Sequence, residues 1–261
     1  MRMSGPGDIV GGKYRLERLI GKGAFANVWA ATNVHLDREV ALKILDDIPA
    51  QKSTIVARFL KEAKLCATKI HPAIVRVEDL GQTDEGVPFL VMELLEGHSL
   101  HQVLKARGLL PWKVVTKIAR PVLEGLAAAH AQGIIHRDIK PANIFLVRRP
   151  EEGPRVRVLD LGLARDLAEE KRLTRTGQVV GTANFLPPET LLDTAPKGGA
   201  KSGDVFAVGM VMFVSLTGYF PFGKTEKLPT PAAEVLARAK YYKSGVALPG
   251  PADFEESVPR A

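Results

Sequence analysis

The stretch His136-Arg137-Asp138-Ile139-Lys140-Pro141-Ala142-Asn143 decides how the rest of this chain is read. It sets a carboxylate, an ammonium and a side-chain amide in one short loop. An acidic group can orient a hydroxyl and accept its proton, a lysine can neutralise charge on a phosphoryl group in transit, and an asparagine oxygen can ligate a hard cation. Chance explains that combination at that spacing poorly.

Just before the loop lies a long helical pattern. Val114, Val115, Ile118, Ala119, Val122, Leu123, Leu126 and Ala127 recur at three and four and form one apolar face. Pro121 removes an amide donor within it, which predicts a kink or the start of the regular part. After the loop, Val156 to Leu159 reads as a strand of alternating character, with Arg148 to Pro154 as a lengthened hairpin turn before it. The strand leads into Asp160-Leu161-Gly162, which offers a second oxygen ligand beside a flexible glycine. Taken alone, an aspartate at a strand end is a turn former.

Further towards the N-terminus the pattern changes from helices to strands. Val28 to Ala31, Val40 to Leu45 and Phe89 to Met92 are short apolar runs rich in Val, Leu and Ile. Gly21 and Gly23 form a glycine turn before Val28, where missing side chains let backbone amides approach phosphates; a ligand-free hairpin explains the same glycines. Lys43 ends the run Val40-Ala41-Leu42-Lys43, either meeting a polyphosphate or simply solvated at an edge. Between Thr54 and Thr68 an amphipathic helix carries Glu62, which could pair with that lysine or face water. The order along the chain matters most: glycine turn, strand lysine, helix glutamate, acid-bearing loop, second aspartate.

Together these residues make the chain resemble the eukaryotic-type (Hanks-type) serine/threonine protein kinase family over nearly its whole length. Thr174 to Leu186, with Gly181-Thr182 inside it, is similar to activation segments of bacterial members. The resemblance implies an α+β, bilobal fold in one kinase domain over residues 1–261. A small antiparallel lobe with one helix covers 13–92, a hinge 93–97, and a mostly helical lobe 98–261. It also implies a non-specific serine/threonine protein kinase of signal transduction, a transferase that uses ATP with Mg2+, or Mn2+ in its place, on protein substrates.

By the same resemblance, Asp138 orients the substrate hydroxyl, Lys140 contacts the γ-phosphate, and Lys43 contacts the α- and β-phosphates and pairs with Glu62. Asn143 and Asp160 hold the metal. Gly21 and Gly23 cover the phosphates. Val28, Ala41 and Phe145 enclose the adenine, with Met92 as gatekeeper and Glu93 and Leu95 offering hinge backbone; each apolar one of these is equally explained as core. Lys140 and Thr182 point to serine/threonine acceptors. Arg137 implies control by phosphate on the activation segment, with Thr174 and Thr176 as the candidate sites of autophosphorylation. Asp204 fits the family's aspartate that opens the central helix and braces the loop backbone.

There are departures. Ala26 replaces the third glycine of the nucleotide loop, Leu161 stands where phenylalanine is commonest, and Pro187-Pro188-Glu189 replaces Ala-Pro-Glu. The ending Glu255 to Ala261 reads as the entry to a further helix. The larger lobe is therefore expected to be incomplete, with an open apolar face and an unpaired Glu189. Two other classes stay open: a catalytically silent kinase-like scaffold, favoured by Ala26 and that ending, and a small-molecule kinase of the aminoglycoside type. Lys140 and the segment from Gly181 to Glu189 disfavour the latter.

Bulk properties agree with a globular enzyme. The chain has 261 residues, 46% of them hydrophobic, enough to bury a core. Its net charge of +7 and pI near 9.5 come from cations scattered among 29 acidic residues, a solvated surface rather than a nucleic-acid site. Cys66 is the single cysteine, so no internal disulfide forms, and a reduced, cytoplasmic setting is expected. Neither a secretory signal nor a transit peptide is expected at the N-terminus. Val205 to Phe222 is apolar enough to be mistaken for a membrane span, but its glycines, Ser215, Thr217 and Pro221 predict a buried core helix. Asp193 to Gly203 reads as a loop.

Overall fold

The computed structural model describes residues 5–23, 26–45, 70–148, 155–161, 183–191 and 200–221. The chain divides into two compact units, Met1–Glu96 and Gly97–Ala261.

The first unit is an antiparallel sheet of six strands: β1 (Ile9–Val10), β2 (Tyr14–Lys22), β3 (Ala26–Asn33), β4 (Arg38–Leu45), β5 (Val77–Gln82) and β6 (Pro88–Glu93). They lie in the order β1-β2-β3-β4-β6-β5. Alternation sorts its side chains to two faces. Leu16, Trp29, Ala31, Val40, Leu42, Ile44, Phe89 and Val91 share one apolar cluster. Burying a leucine as completely as Leu42, 0% exposed, contributes roughly 1.5–3 kcal/mol. On this face the Phe89 ring fills the space that side chains at Gly11 and Gly81 would take: a Cβ at Gly81 would stand 2.6 Å from Cζ, and one at Gly11 2.8 Å. Tyr14 meets the same ring edge-on, with centroids 5.9 Å apart.

The second unit opens with β7 (Gly97–Ser99), which pairs with β8 (Ile144–Val147), which pairs in turn with β9 (Val156–Val158). Gly97 has φ +150, and a Cβ there would collide with the carbonyl oxygen of Leu146, so only glycine fits. Ser99 caps α1 (Leu100–Arg107) through a reciprocal box with Gln102. Next come α2 (Trp112–Ala131), a 3-10 turn (Pro141–Asn143), a second 3-10 turn (Ala183–Phe185), α3 (Pro188–Leu191) and α4 (Lys201–Thr217). One core joins α1, α2, α4 and the inward residues Ile144, Val156 and Val158 of the small sheet.

Several expectations change in detail. α2 runs unbroken through Pro121, so the proline does not start the helix. Its buried stripe is Val115, Ile118, Ala119, Val122, Gly125, Leu126 and Ala129; Val114, Leu123 and Ala127 lie outside it, because a helix packed on one side buries a narrower arc than its apolar residues span. α4 starts at Lys201, so the last three residues of the expected loop are helical; extended Ala200 caps it and accepts the Gly203 amide at 3.0 Å. β9 stops at Val158, where the Leu159 amide turns to the Asn143 carbonyl at 2.9 Å. All three β9 residues are buried, Arg157 included.

The suspected span is helical from Val205 to Thr217 and largely core there, although Val205 is 53% exposed; Phe222 lies outside the described residues. α4 buries Ala207, Val208, Met210, Val211 and Ser215 and ends at Gly218, φ +78, whose amide bonds Val214. Among the described residues no helix is long and apolar enough to cross a membrane.

Candidate active site

In the second unit the sequence from α2 to β9 converges on Asp138. Its Oδ2 accepts from Lys140 Nζ at 2.7 Å and from Asn143 Nδ2 at 3.0 Å, while the same Nδ2 donates to the Asp138 carbonyl at 2.8 Å. Both side-chain bonds fall on one carboxylate oxygen. Asp138 is partly open, with 29% of its side chain exposed, whereas Asn143 is buried at 7%. Because the asparagine nitrogen is committed to Asp138, its oxygen is turned the other way and can serve as a hard ligand.

The loop is braced from both sides. His136 is fully buried; its ring contacts the Leu159 carbonyl through Nε2 at 2.7 Å, and Nδ1 accepts the Asp138 amide at 3.2 Å. A carbonyl only accepts, so Nε2 carries the ring proton and Nδ1 is free to receive the amide. With Leu159 held at both its amide and carbonyl, the next residue, Asp160, leaves β9 in the left-handed region at φ +58. Arg137 is also left-handed at φ +65, a conformation that costs a non-glycine residue about 1–3 kcal/mol.

Asp204, 1% exposed, meets that strain. Its Oδ2 accepts the His136 amide at 2.8 Å and its Oδ1 the Arg137 amide at 2.7 Å, so one carboxylate grips two consecutive peptides. This is the bracing contact expected of Asp204. His130 adds a third bond, Nε2 to Oδ2 at 2.7 Å, which the sequence reading missed. A histidine in the last turn of a helix carries no mark of a partner 74 residues away.

The first unit places its own candidates by register. Gly21 pairs with Val28, Val28 with Lys43 and Lys43 with Leu90, while Ala30 pairs with Ala41 and Ala41 with Met92. Cross-strand partners share a face, so Val28, Ala41, Lys43 and Met92 project together, opposite the cluster around Leu42. Lys43 is 5% exposed and has a partner. It is therefore no solvated edge lysine. Ala41 and Met92 are buried and Val28 half-buried.

A Cβ on Gly23 would come within 3.1 Å of the Ala26 carbonyl, which accepts the Gly23 amide at 2.9 Å; Gly21 has ordinary room. Ala26 is the first residue of β3, paired with Leu45, so its methyl packs in the sheet. Glu93 ends β6, exchanging its amide with the Arg76 carbonyl at 3.1 Å and its carboxylate with the Arg76 amide at 2.8 Å; Leu95 follows, half-buried. Phe145 sits on β8 opposite Arg157 and Ser99, on the face away from the core.

Glu62, Thr174, Thr176 and Thr182, like Cys66, lie outside the described residues. Glu189 does have a partner, contrary to expectation: a half-buried carboxylate persists in a fold when it is bonded. Leu161 is buried at 4%. Among the described residues no three His, Cys, Asp or Glu side chains gather into a metal cluster.

The strand-rich unit, the helical unit and the Asp138 loop are those of a protein kinase. Residues 14–257 match the family described as Protein kinase domain, and the chain belongs to that family, among the eukaryotic-type serine/threonine kinases of bacteria.

The relatives point the same way. The chain is 40% identical over 215 residues to serine/threonine-protein kinase PknL of Mycobacterium tuberculosis, covering 82% of this chain and 51% of that protein. It is 37% identical over 218 residues to serine/threonine-protein kinase PrkC of Bacillus subtilis, covering 83% of this chain and 32% of that one. The chain thus spans about half or less of these relatives. Among solved structures it is similar to Rad53 residues 1–466 in complex with AMP-PNP, with a TM-score of 0.66, 25% identity, and coverage of 89% of this chain and 54% of that one. It also shares the fold of the PknI kinase domain of Mycobacterium tuberculosis, with a TM-score of 0.64 and 23% identity over 85% of this chain and 80% of that one.

Proposed function

We propose that this chain transfers the γ-phosphoryl group of ATP to serine or threonine hydroxyls of protein substrates. The observation that carries the reading is the asymmetry of Asp138. Lys140 and Asn143 hold Oδ2, and Oδ1 takes no bond among the described residues. A carboxylate fixed through one oxygen offers the other, in a set direction, to an incoming hydroxyl. Lys140 sits where it can share charge between that carboxylate and a transferring phosphoryl group.

The ligand set fits a magnesium ion: one carboxylate, Asp160, and the free oxygen of Asn143, with substrate phosphates completing the shell. Bound there, magnesium would neutralise phosphate charge. Lys43 is assigned to the α- and β-phosphates and to Glu62 by its place in the motif order. ATP use is supported by the Rad53 relative solved with AMP-PNP. We assign the organisation as one kinase domain, 13–92 and 98–261 joined by 93–97, acting in the cytoplasm, with Arg137 reading phosphate placed on Thr174 or Thr176. Intact-mass analysis after incubation with ATP and magnesium should show added phosphate.

The deciding measurement is transfer of labelled phosphate to a generic basic protein. Asp138→Asn should lower kcat roughly 10²–10⁴-fold, because it removes the proton acceptor while keeping the shape. Chelation of magnesium should silence the wild type. A wild type with no transfer at all would leave the silent-scaffold reading standing.

A further inference from the structure

We propose that the first unit binds a small organic carboxylate, an apolar body with a single negative charge, on the face of its sheet opposite Lys43 and Met92. A cavity of about 340 Å³ opens there. That volume lies within the usual range for small-ligand sites, about 300–1,000 Å³. Its floor is apolar: Tyr14 of β2, Val40 of β4 and Val91 of β6 are all buried and belong to the cluster around Leu42. Leu36, in the turn between β3 and β4, also lines it and is 70% exposed, which leaves apolar surface for a ligand's body to cover.

The polar rim has spent its acceptors and kept its donors. Asp79 gives Oδ2 to the Tyr14 hydroxyl at 2.7 Å and Oδ1 to the Leu80 amide at 2.8 Å. Asn33 Oδ1 takes the His35 and Leu36 amides at 3.0 and 3.2 Å. Glu78 Oε1 takes Arg38 Nη2 at 2.9 Å and Arg76 Nη2 at 2.7 Å, so among the described residues Oε2 is the one carboxylate or amide oxygen of the rim left open. By contrast Lys13 Nζ stands 3.7 Å from Asp79, too far for a good hydrogen bond, and Arg38 commits one of its five N–H groups. Each of these two side chains is 53% exposed.

Charge narrows the ligand further. Lys13, Arg38 and Arg76 stand against Glu78 and Asp79, three positive groups to two negative, with His35 of the rim counted neutral. One positive charge is left over. A carboxylate balances it through charge-assisted bonds to the ammonium and the guanidinium. A phosphate monoester, with nearly two charges at neutral pH, overshoots it. An ammonium finds only Glu78 Oε2.

Titration of the full chain with 4-phenylbutyrate, followed through its amide resonances, tests the site without reading phosphoryl transfer. Shifts should gather at Tyr14, Leu36, Arg38 and Asp79 and saturate with a Kd of about 1 mM or tighter. Arg38→Gln and Lys13→Gln, at exposed positions where the fold is not at stake, should each weaken binding about five-fold. Acetate, which lacks the body, and 4-phenylbutylamine, which reverses the charge, should bind at least about ten-fold more weakly, and phenyl phosphate no tighter. Shifts that gather elsewhere or never saturate would overturn the proposal. So would a Kd unchanged in both variants, or acetate, the amine or the phosphate ester binding better than these limits allow.

Discussion

The two units place their candidate side chains by different means. In the first, Val28, Lys43 and Leu90 are lined up by ladder hydrogen bonds running the length of β3, β4 and β6, so many peptides share the task. In the second, the Asp138 loop follows neither helix nor sheet from 132 to 140, and a few side chains set its path, chiefly the Asp204 carboxylate from α4 and the buried His136 ring. Redundant backbone pairing should absorb a local insult; a grip made by so few side chains should not.

The largest effect should come from Asp204→Ala. It strips acceptors from two amides and from His130 at a site 1% exposed, and should cost about 3–5 kcal/mol in denaturant melts together with most activity. A loss under about 1 kcal/mol would mean the loop holds its own shape. Next, Gly81→Ala drives a methyl against Phe89 and should cost about 1–3 kcal/mol, yet leave kcat near wild type if the ladder carries the load. A collapse of kcat there would erase the contrast.

The alkaline limb of stability tests the first unit alone. Burial first, then the 2.7 Å bond to Asp79 and the negative charges of Asp79 and Glu78, push the Tyr14 phenol well above its ordinary 10. A raised value favours the protonated form in the fold. Its contribution is therefore complete below pH 10 and drains away as pH climbs from 10 towards the folded value. Tyr14→Phe should lose about 0.5–1.5 kcal/mol at neutral pH and flatten the decline above pH 10. An equally steep decline in the variant would assign it to another group. The smallest effect is Ala26→Gly: with Ala26 inside β3, restoring the family glycine should cost about 0.5–1 kcal/mol and raise no activity. A gain in kcat would mean the loop needs the freedom.

Which parts could be read from sequence follows the same divide. Apolar strands β3, β4 and β6 are visible because two buried faces leave few polar residues in them. By contrast β5, Val-Glu-Asp-Leu-Gly-Gln, has little apolar signal and is a strand because β6 pairs with it. The three residues of β7 are too few for any period. Ser99 and Gln102 form a capping box at the start of α1, a signal that the periodicity used above passes over. Register is not legible, since β2 and β3 slip twice, at Leu16/Arg18 and Leu19/Gly21. The chemistry of Asp138, Lys140 and Asn143 is legible because it is packed into six residues, whereas the bond of His130 to Asp204 spans 74.

That long reach has a consequence for the order in which the molecule is made. Asp204 follows Arg137 by 67 residues, so at about 5–20 residues per second the nascent loop waits roughly 3–13 s for its clasp. During that interval Asp138, Lys140, Asn143 and Asp160 have all been synthesised, and the carboxylate that grips the His136 and Arg137 amides has not. A chain halted before α4 holds those side chains without the carboxylate that grips their loop.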